Sequence, residues 1–250
     1  MGDGMGISLA DVERNLSLPR LAPYRLHASD DAEALCLYLW NMELSQALQP
    51  AMHAIEVTLR NSIHAAGVAQ FGADDWFRDP NTLTLHNREQ RMLDQAVEQL
   101  WHADRHDVRR IKLGLDPAPP LPTVGKHIAA LTLGFWVNLF NTPYKRQLWS
   151  AIPPRRNLLP LVFPHATKAQ RQQRLLHQKL VRIRDFRNRV SHHEPIWNWP
   201  ATVDRQYREI MEVVGSISPA TTVLVGLIDQ FPALHRRGHR HYLTVLSLRQ

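Results

Sequence analysis

The residues most able to do chemistry stand close together between Arg184 and Trp197, in the string RDFRNRVSHHEPIW. If this string is helical, Arg184, Asn188 and His192 fall along one stripe, because successive residues turn by about 100°. Arg187 lies beside that stripe and can reach across it with its long side chain. Together these residues offer one imidazole, one amide and two guanidiniums. The set suits RNA cleavage without a metal, since a histidine can move a proton to or from the ribose 2′-hydroxyl or the leaving oxygen while an arginine holds the phosphate.

RNA cleavage of this kind needs both a group that transfers protons and a group that stabilises the charge on the phosphate, and neither is effective alone. Two copies of the string, brought together across a two-fold axis, would supply both an acid and a base and would form a wide basic groove. The sequence therefore favours a homodimer. The spacing R-x4-H from Arg187 to His192 is by itself a weak pattern, because the chain contains 30 Lys and Arg residues and 14 His residues.

The same string admits two other interpretations. Its cations could merely complement the dipole at the C-terminus of a helix, a contribution of roughly 0.3 to 1 kcal/mol each. Alternatively, His192, His193 and Glu194 could bind a metal ion, although adjacent residues on a helix point about 100° apart and no matching second cluster appears. We expect no metal. The glycines form neither a Walker string nor G-x-G-x-x-G, so we expect no nucleotide cofactor either.

Positive charge is concentrated in one part of the chain. The formal net charge is +7, and residues 145–193 contain twelve Lys or Arg against Asp185 alone. That segment carries +11, so the remaining residues sum to −4. Concentrated positive charge favours a polyanion such as RNA as partner, through counterion release and steering of the encounter, although a solvated helix face is the alternative. The basic tail from His235 to His241 either grips phosphates or is a solvated end.

Helical periodicity runs through most of the chain, whereas alternating strand patterns are scarce. The sequence therefore predicts an all-α fold, in which the first helix begins after Ser29-Asp30-Asp31. A long basic helix should end before Pro195, because the residue preceding a proline avoids the helical region. This helix should bury Leu175, Leu176, Leu180, Val181, Ile183 and Phe186. The predicted helices cover about 31–48, 50–71, 81–103, 123–140, 167–193, 201–214 and 219–231, and the proline-rich segment 116–122 is the best internal boundary.

Four strings of the sequence resemble the Abi-like family, which comprises bacterial abortive-infection proteins and belongs to the broader HEPN group. They are PRLAPY near 19–24, IEVTLRNSI at 55–63, LGFWVNLF at 133–140 and RNRVSHHEPIW at 187–197. The strings occur in the family's order and cover about residues 15 to 200. HEPN proteins are all-helical and many act as ribonucleases. The resemblance therefore implies an HEPN-like helical bundle with additional N-terminal helices.

Carried over residue by residue, the resemblance implies that Arg187 and His192 form the catalytic pair and that Asn188 is their polar helper. The residues expected to bind RNA are Arg182, Arg184, Arg189 and His193. The residues that could support the site from nearby are Glu56, Arg60, Asn61 and Glu194. Glu56 and Arg60 also have the i,i+4 spacing of a structural ion pair, with the acid in the favourable N-terminal position.

We predict one domain over residues 1–250, with an N-terminal helical part at about 15–115, a motif-bearing part at about 121–231 and a basic tail at 232–250. Cys36 is the single cysteine, the first residues show no secretory signal, and polar residues interrupt the longest uncharged stretch, 127–144. We therefore expect a cytoplasmic protein without a membrane span.

The first hypothesis for function is a metal-independent endoribonuclease that forms the toxic arm of a phage-defence or toxin-antitoxin system, with a cognate antitoxin of protein or RNA as a further partner. The alternative is a non-catalytic RNA-binding or regulatory HEPN-like protein that uses the same basic helix. A third interpretation is a helical scaffold with a protein partner. The set Arg187, Asn188 and His192 favours the enzyme, because RNA binding alone needs no group that titrates near neutrality.

Overall fold

The computed structural model describes residues 7–152, 157–198, 202–246 and 248–249. Its regular structure is helical except for one pair of two-residue strands, Ile7–Ser8 (β1) and Leu248–Arg249 (β2), which run parallel. The all-α prediction is confirmed. The helices are α1 Leu9–Leu16, α2 Leu18–Arg25, α3 Asp31–Ala47, α4 Gln49–Phe71, α5 Asn87–Ala103, α6 Val108–Lys112, α7 Val124–Ala130, α8 Leu133–Asn138, α9 Leu159–Val162, α10 Gln173–Ser191, α11 Val203–Ile217, α12 Pro219–Gly226 and α13 Phe231–Arg237, with 3-10 turns at Thr142–Tyr144 and Arg240–Thr244 and a π-helical turn at Lys145–Trp149.

Helical structure begins earlier than predicted. Ser8 caps α1 with its side chain, and α2 carries Pro19 in its first turn, where a missing N–H costs little. The prediction that the first helix follows Ser29 was therefore wrong, but the start of α3 is confirmed. The Asp30 carboxylate accepts the backbone N–H of Glu33 at 2.8 Å, and the Glu33 carboxylate accepts the N–H of Ser29 at 2.8 Å. These reciprocal bonds satisfy backbone donors that the first turn of a helix leaves without partners.

One predicted helix is divided into two, and another ends earlier than predicted. The segment after Thr123 forms α7 and α8, because the backbone is extended at Leu131 (ψ 129°) and Thr132 (ψ 160°). Phe135 and Trp136 on α8 are fully buried. The predicted helix at 219–231 ends early, at Gly226, as α12, and a further helix that was not predicted, α13, begins at Phe231.

The long basic helix, α10, begins at Gln173 and not near residue 167. The hydroxyl and backbone N–H of Thr167 both donate to the side chain of Gln170, a local turn that takes the place of the predicted first helical turns. The prediction that Leu175 faces inward was wrong, since this side chain is 48% exposed. It is rotated by about 100° from Leu176 and falls off the buried stripe. Val181 is half-buried, and the core residues of α10 are Leu176, Leu180, Ile183, Phe186 and Val190.

As far as the structure describes it, the chain forms two compact units. The first contains Met1–Ala54, Asp185–Glu212 and Ala220–Gln250, and the second contains Ile55–Arg184 and Val213–Pro219. The helices α4 and α10 therefore each contribute residues to both units. The single domain with parts at about 15–115 and 121–231 remains a prediction. No helix within the described ranges is both long and apolar enough to cross a bilayer.

Aromatic side chains and the C-terminal segment surround α3 in the first unit. Tyr24 packs with Ala34 and Leu37 in a buried cluster, against which the half-buried Trp40 and Trp197 lie. The described part of the basic tail also contacts α3. There Arg237 pairs with Glu43 at 2.7 Å, Arg240 pairs with Glu33 at 3.5 Å, and Nε2 of His239 lies 3.2 Å from the Glu33 carboxylate.

Two close contacts characterise the interior of the second unit. A Cβ atom at Gly67 on α4 would lie 2.1 Å from Cε2 of Trp76, so only glycine leaves room for the indole. His127 on α7 is buried, with Nδ1 accepting from Nε of Arg78 at 2.9 Å and Nε2 donating to the carbonyl of Leu93 at 3.2 Å. Burial, reinforced by the positive Arg78, lowers the pKa of His127 to about 4. The ring is therefore neutral near pH 7.

Candidate functional site

The string RNRVSHHEPIW forms the C-terminal end of α10 and the turn that follows it. The His193 N–H donates to the carbonyl of Val190 at 3.1 Å. The Glu194 N–H donates to the carbonyl of Arg189 at 3.0 Å. These two bonds define a Schellman motif, in which the residue after the helix adopts the left-handed conformation. His193 occupies that position with φ 55°, although glycine is the usual residue there. The exposed His192 therefore stands at the very end of the helix.

Two arginines hold the carbonyl groups of this turn. Arg20 on α2 donates to the carbonyl of His193. Arg189 donates from Nη2 to the carbonyl of Pro195 at 2.6 Å and pairs through Nη1 with the Glu194 carboxylate at 3.1 Å. A left-handed conformation at a residue other than glycine costs roughly 1 kcal/mol or more, so it persists only where neighbouring contacts impose it. The two arginines supply such contacts.

Asn41 on α3 fixes the chain beyond the turn. Its side chain is only 3% exposed. The Nδ2 group donates to the carbonyl of Glu194 at 3.3 Å, and Oδ1 accepts the N–H of Ile196 at 2.7 Å. A side-chain amide offers both a donor and an acceptor, so Asn41 pairs with the backbone much as a neighbouring strand would. The path of the chain after His192 is thereby set from α3.

The N-terminal string PRLAPY packs against the end of the string RNRVSHHEPIW. The rings of Trp197 and Tyr24 have centroids 6.2 Å apart, and His27 meets Trp197 edge-on at 5.0 Å. Tyr24 is fully buried, which raises the pKa of its hydroxyl to about 12. The first unit therefore brings together two family strings that are far apart in the sequence.

Of the three predicted catalytic residues, Arg187 and Asn188 lie on the last turns of α10 and His192 directly follows the helix, all within the first unit. The carbonyl of Asn188 accepts the N–H of His192 at 2.9 Å, so the two residues stand one turn apart on the same face of the helix. Both side chains are exposed, and Arg187 is half-buried. The structure thus places Asn188 and His192 one turn apart, with Arg187 one residue before Asn188 on the same helix. Their catalytic roles remain predictions.

The residues predicted to bind RNA divide between the two units. Arg189 and His193 belong to the turn described above, where the Arg189 guanidinium holds a carboxylate and a carbonyl. Arg182 and Arg184 lie on the part of α10 that belongs to the second unit. There Arg184 donates to Oδ1 of Asn138 at 3.4 Å.

The residues predicted to support the site are also divided. Glu194 lies in the turn and pairs with Arg189. Glu56, Arg60 and Asn61 lie on α4 within the second unit, where Arg60 donates to the carbonyl of Ala129 at 3.5 Å. A supporting role for these three residues at the site remains a prediction.

Sequence reasoning assigned no role to Asn41 or Arg20. Asn41 interrupts the apolar run of α3, and a polar residue at a core position signals a specific hydrogen-bond partner. This signal was available in the sequence, but it does not identify the partner. Arg20 lies within PRLAPY, a string that indicated the family without assigning a contact to the arginine.

The histidine pair at the helix end is not assembled as a metal site. Within the described part of the chain, no three His, Cys, Asp or Glu side chains are grouped so that they could hold an ion. The Glu194 carboxylate pairs with Arg189 at 3.1 Å. The expectation that no metal takes part stays a prediction, because it concerns the reaction.

The family follows from the same strings. The chain belongs to the Abi-like protein family, whose family model matches residues 19–198. This range spans more than half of the chain and includes all four strings, from PRLAPY to RNRVSHHEPIW. Membership of this family suggests a role in abortive infection. No curated protein and no solved structure was found to match the chain.

Proposed function

We propose that this Abi-like chain is a metal-independent endoribonuclease of the HEPN group and the toxic effector of an abortive-infection or toxin-antitoxin system. The observation that carries the proposal is the end of α10. There the exposed His192 stands one turn from Asn188, on a backbone that Asn41 and Arg20 hold in place, and Arg187 precedes Asn188 on the same helix. A titratable group on a fixed turn, together with a guanidinium, is what acid-base chemistry at a phosphate requires.

The proposed reaction is transfer of the phosphodiester within the RNA. His192 takes the proton of a ribose 2′-hydroxyl, and the freed oxygen attacks the adjacent phosphorus. The bond from phosphorus to the 5′-oxygen of the next nucleotide breaks, and that oxygen takes up a proton. The products are a 2′,3′-cyclic phosphate and a 5′-hydroxyl. Arg187 stabilises the charge that develops on the phosphoryl oxygens, and Asn188 donates a hydrogen bond to the same group.

A second copy of the chain completes the proposed site. One imidazole at this position supplies either the base or the acid of the reaction, so a homodimer that places two helix ends together supplies both. Its combined basic surface, with Arg182, Arg184, Arg189 and His193, binds the RNA backbone. A toxic nuclease also needs restraint, which a cognate antitoxin of protein or RNA would provide.

Substitution of the catalytic residues tests the proposal. His192→Ala and Arg187→Ala should each lower cleavage of a labelled single-stranded RNA by at least about a hundredfold. The control His102→Ala, at an exposed position of α5, should leave the rate within about twofold. Circular dichroism of each purified variant checks that its helical content is unchanged. Expression of the wild type should arrest bacterial growth, and expression of His192→Ala should not.

Two results would contradict the proposal. Less than about tenfold loss in both variants, with helicity retained, would place the chemistry elsewhere. RNA binding by a wild-type protein that cleaves no RNA would favour the alternative, a non-catalytic RNA-binding protein.

A further inference from the structure

A groove with a volume of about 640 Å³ opens beside the end of α10, entirely within the first unit. One wall is α3 from Tyr38 onward together with Gln49 at the start of α4, and the other walls are the end of α10 and Tyr242. The volume lies within the range of roughly 300 to 1,000 Å³ that is typical of small-molecule sites. The groove is therefore large enough for a ligand of nucleotide size.

Part of the groove lining is apolar or aromatic. Leu39, Met42 and Val190 contribute aliphatic surface, and Tyr38 and Tyr242 contribute rings. The Tyr38 ring meets Tyr24 edge-on with centroids 5.2 Å apart, which fixes its orientation. Flat, partly aromatic surface of this kind covers the face of a planar heterocycle well.

The polar part of the lining includes two exposed amide side chains, those of Gln46 and Gln49. Gln46 lies near the end of α3 and Gln49 at the start of α4. The Nε2 group of Gln49 donates to the carbonyl of Ser45 at 3.2 Å, and this bond orients its oxygen. Each amide both donates and accepts, as the edge of a nucleobase does. The Glu43 carboxylate in the lining is paired with Arg237 at 2.7 Å, which reduces its repulsion of an anionic ligand.

The groove is adjacent to the proposed chemistry. His193 lines it together with Ser191, and His192 is the residue between them. Arg20 lines the groove as well and binds the carbonyl of His193. His192 itself does not line the groove, so the groove is open to a base next to the phosphate held at His192 and not to that phosphate.

We propose that the groove binds one base of single-stranded RNA next to the cleaved phosphate, and that Gln46 and Gln49 select that base through its hydrogen-bonding edge. The identity of the occupant as part of an RNA strand rests on the proposed ribonuclease function. The apolar lining and the two amides are the independent grounds for a nucleobase.

The test measures binding with ligands that cannot be cleaved through the 2′-hydroxyl. Fluorescein-labelled 2′-O-methyl tetranucleotides of A, C, G and U are titrated with the full wild-type chain, and affinity is read from anisotropy. The site variant is Gln46→Ala with Gln49→Ala. The matched control is Gln95→Ala with Gln99→Ala, because these two glutamines are exposed on α5 and do not line the groove. Alanine is a strong helix former, so both double variants should keep their helicity.

We expect the wild type and the control to prefer one of the four tetranucleotides by at least about tenfold, the scale of one good pair of hydrogen bonds to a base. The site variant should reduce that preference to below about threefold and weaken the preferred ligand most. Equal affinity of the wild type for all four ligands would overturn the proposal. A uniform loss across all four ligands in the site variant would overturn it as well.

Two further measurements are needed. The first distinguishes an RNA strand from a free nucleotide as the ligand, and the second distinguishes failure of the groove proposal from failure of the ribonuclease proposal. If the free 5′-mononucleotide binds more tightly than the tetranucleotide with the same base, the occupant is a free nucleotide and the RNA assignment fails. If base-selective binding is lost in the site variant but the wild type cleaves no natural RNA, the groove assignment stands and the ribonuclease proposal fails.

Discussion

Replacement of Asn41 by alanine should loosen the turn that carries the histidine pair. The change removes the donor to the Glu194 carbonyl and the acceptor for the Ile196 N–H, and Ile196 is fully buried. The lost bond to Ile196 leaves a buried N–H without a partner, at a cost of about 1 to 3 kcal/mol, and the lost bond to the part-buried Glu194 carbonyl adds to this. Water that enters the space left by the amide can form hydrogen bonds to these backbone groups and so reduce the cost. We therefore expect Asn41→Ala to lower the free energy of unfolding by about 3 kcal/mol.

Two measurements check this prediction, one of the stability of the whole protein and one of the turn alone. Urea unfolding followed by circular dichroism gives the change in the free energy of unfolding. Hydrogen exchange measured by mass spectrometry on peptides covering 190–198 reports the turn itself. Exchange there should accelerate at least about tenfold, because the acceptor of the Ile196 N–H is gone. The control Asn87→Ala removes an exposed asparagine at the start of α5 and should change stability by no more than about 0.5 kcal/mol.

The expected loss of stability depends on the two hydrogen bonds that the Asn41 side chain makes to the turn. If Asn41→Ala unfolds at the same urea concentration as the wild type and exchange at 190–198 is unchanged, then Asn41 does not hold this turn. The assignment of α3 as the support of the site would then be wrong.

Two further predictions concern the interior of the second unit. Gly67→Ala should destabilise the protein by about 2 kcal/mol, because its Cβ would overlap the Trp76 ring, whereas Gly125→Ala, with no atom within 4 Å of the added carbon, should be neutral or stabilising. Equal unfolding midpoints for the two variants would contradict this. The pKa of His127 is about 4 in the folded protein, against an ordinary 6.5 in the unfolded chain, so between these values the folded protein binds fewer protons than the unfolded chain. The contribution of His127 to the free energy of unfolding is therefore fully present above pH 6.5 and is lost as pH falls toward 4. In urea unfolding, His127 should make the free energy of unfolding about 2 to 3 kcal/mol lower at pH 4.5 than at pH 7. The variant His127→Gln has no titrating group at this position and should lack that part of the loss. The same pH dependence of stability in the wild type and in His127→Gln would refute this prediction.

Local signals in the sequence predicted much of the helical structure. Asp30 and Glu33 mark the start of α3 with side chains that bond the first turn. Gly72, with φ 77°, marks the end of α4, since glycine adopts the left-handed conformation without strain. These features act within a few residues, so one sequence is sufficient to reveal them.

Other helix boundaries are set by local turns and extended residues that compete with the helix, and the periodicity of the apolar residues does not reveal them. The helix α10 begins six residues later than predicted, because Thr167 and Gln170 form their own side-chain turn. The break between α7 and α8 falls at Leu131 and Thr132, where no glycine or proline indicates it. In both places an apolar pattern continues through a segment that is not one helix.

The candidate site was predictable where it depends on one helix. Spacing alone places Asn188 and His192 one turn apart on α10. Two contacts that hold the site, Asn41 with Ile196 and Arg20 with His193, join residues more than 150 positions apart. A single sequence shows that such polar residues need partners but does not say which ones. The left-handed histidine after the helix was also unpredicted, because glycine is the usual signal for that conformation.

The most direct test of the central claim is the chemistry of the cleaved ends. Purified wild-type protein is incubated with RNA in excess EDTA, the products are mapped at both ends, and His192→Ala prepared in parallel controls for contaminating nucleases. We predict undiminished cleavage that leaves 2′,3′-cyclic phosphate and 5′-hydroxyl ends, and no cleavage at a position whose ribose lacks the 2′-hydroxyl. Activity that EDTA abolishes and zinc or magnesium restores, or products with 5′-phosphate ends, would contradict the claim that His192 acts on the 2′-hydroxyl.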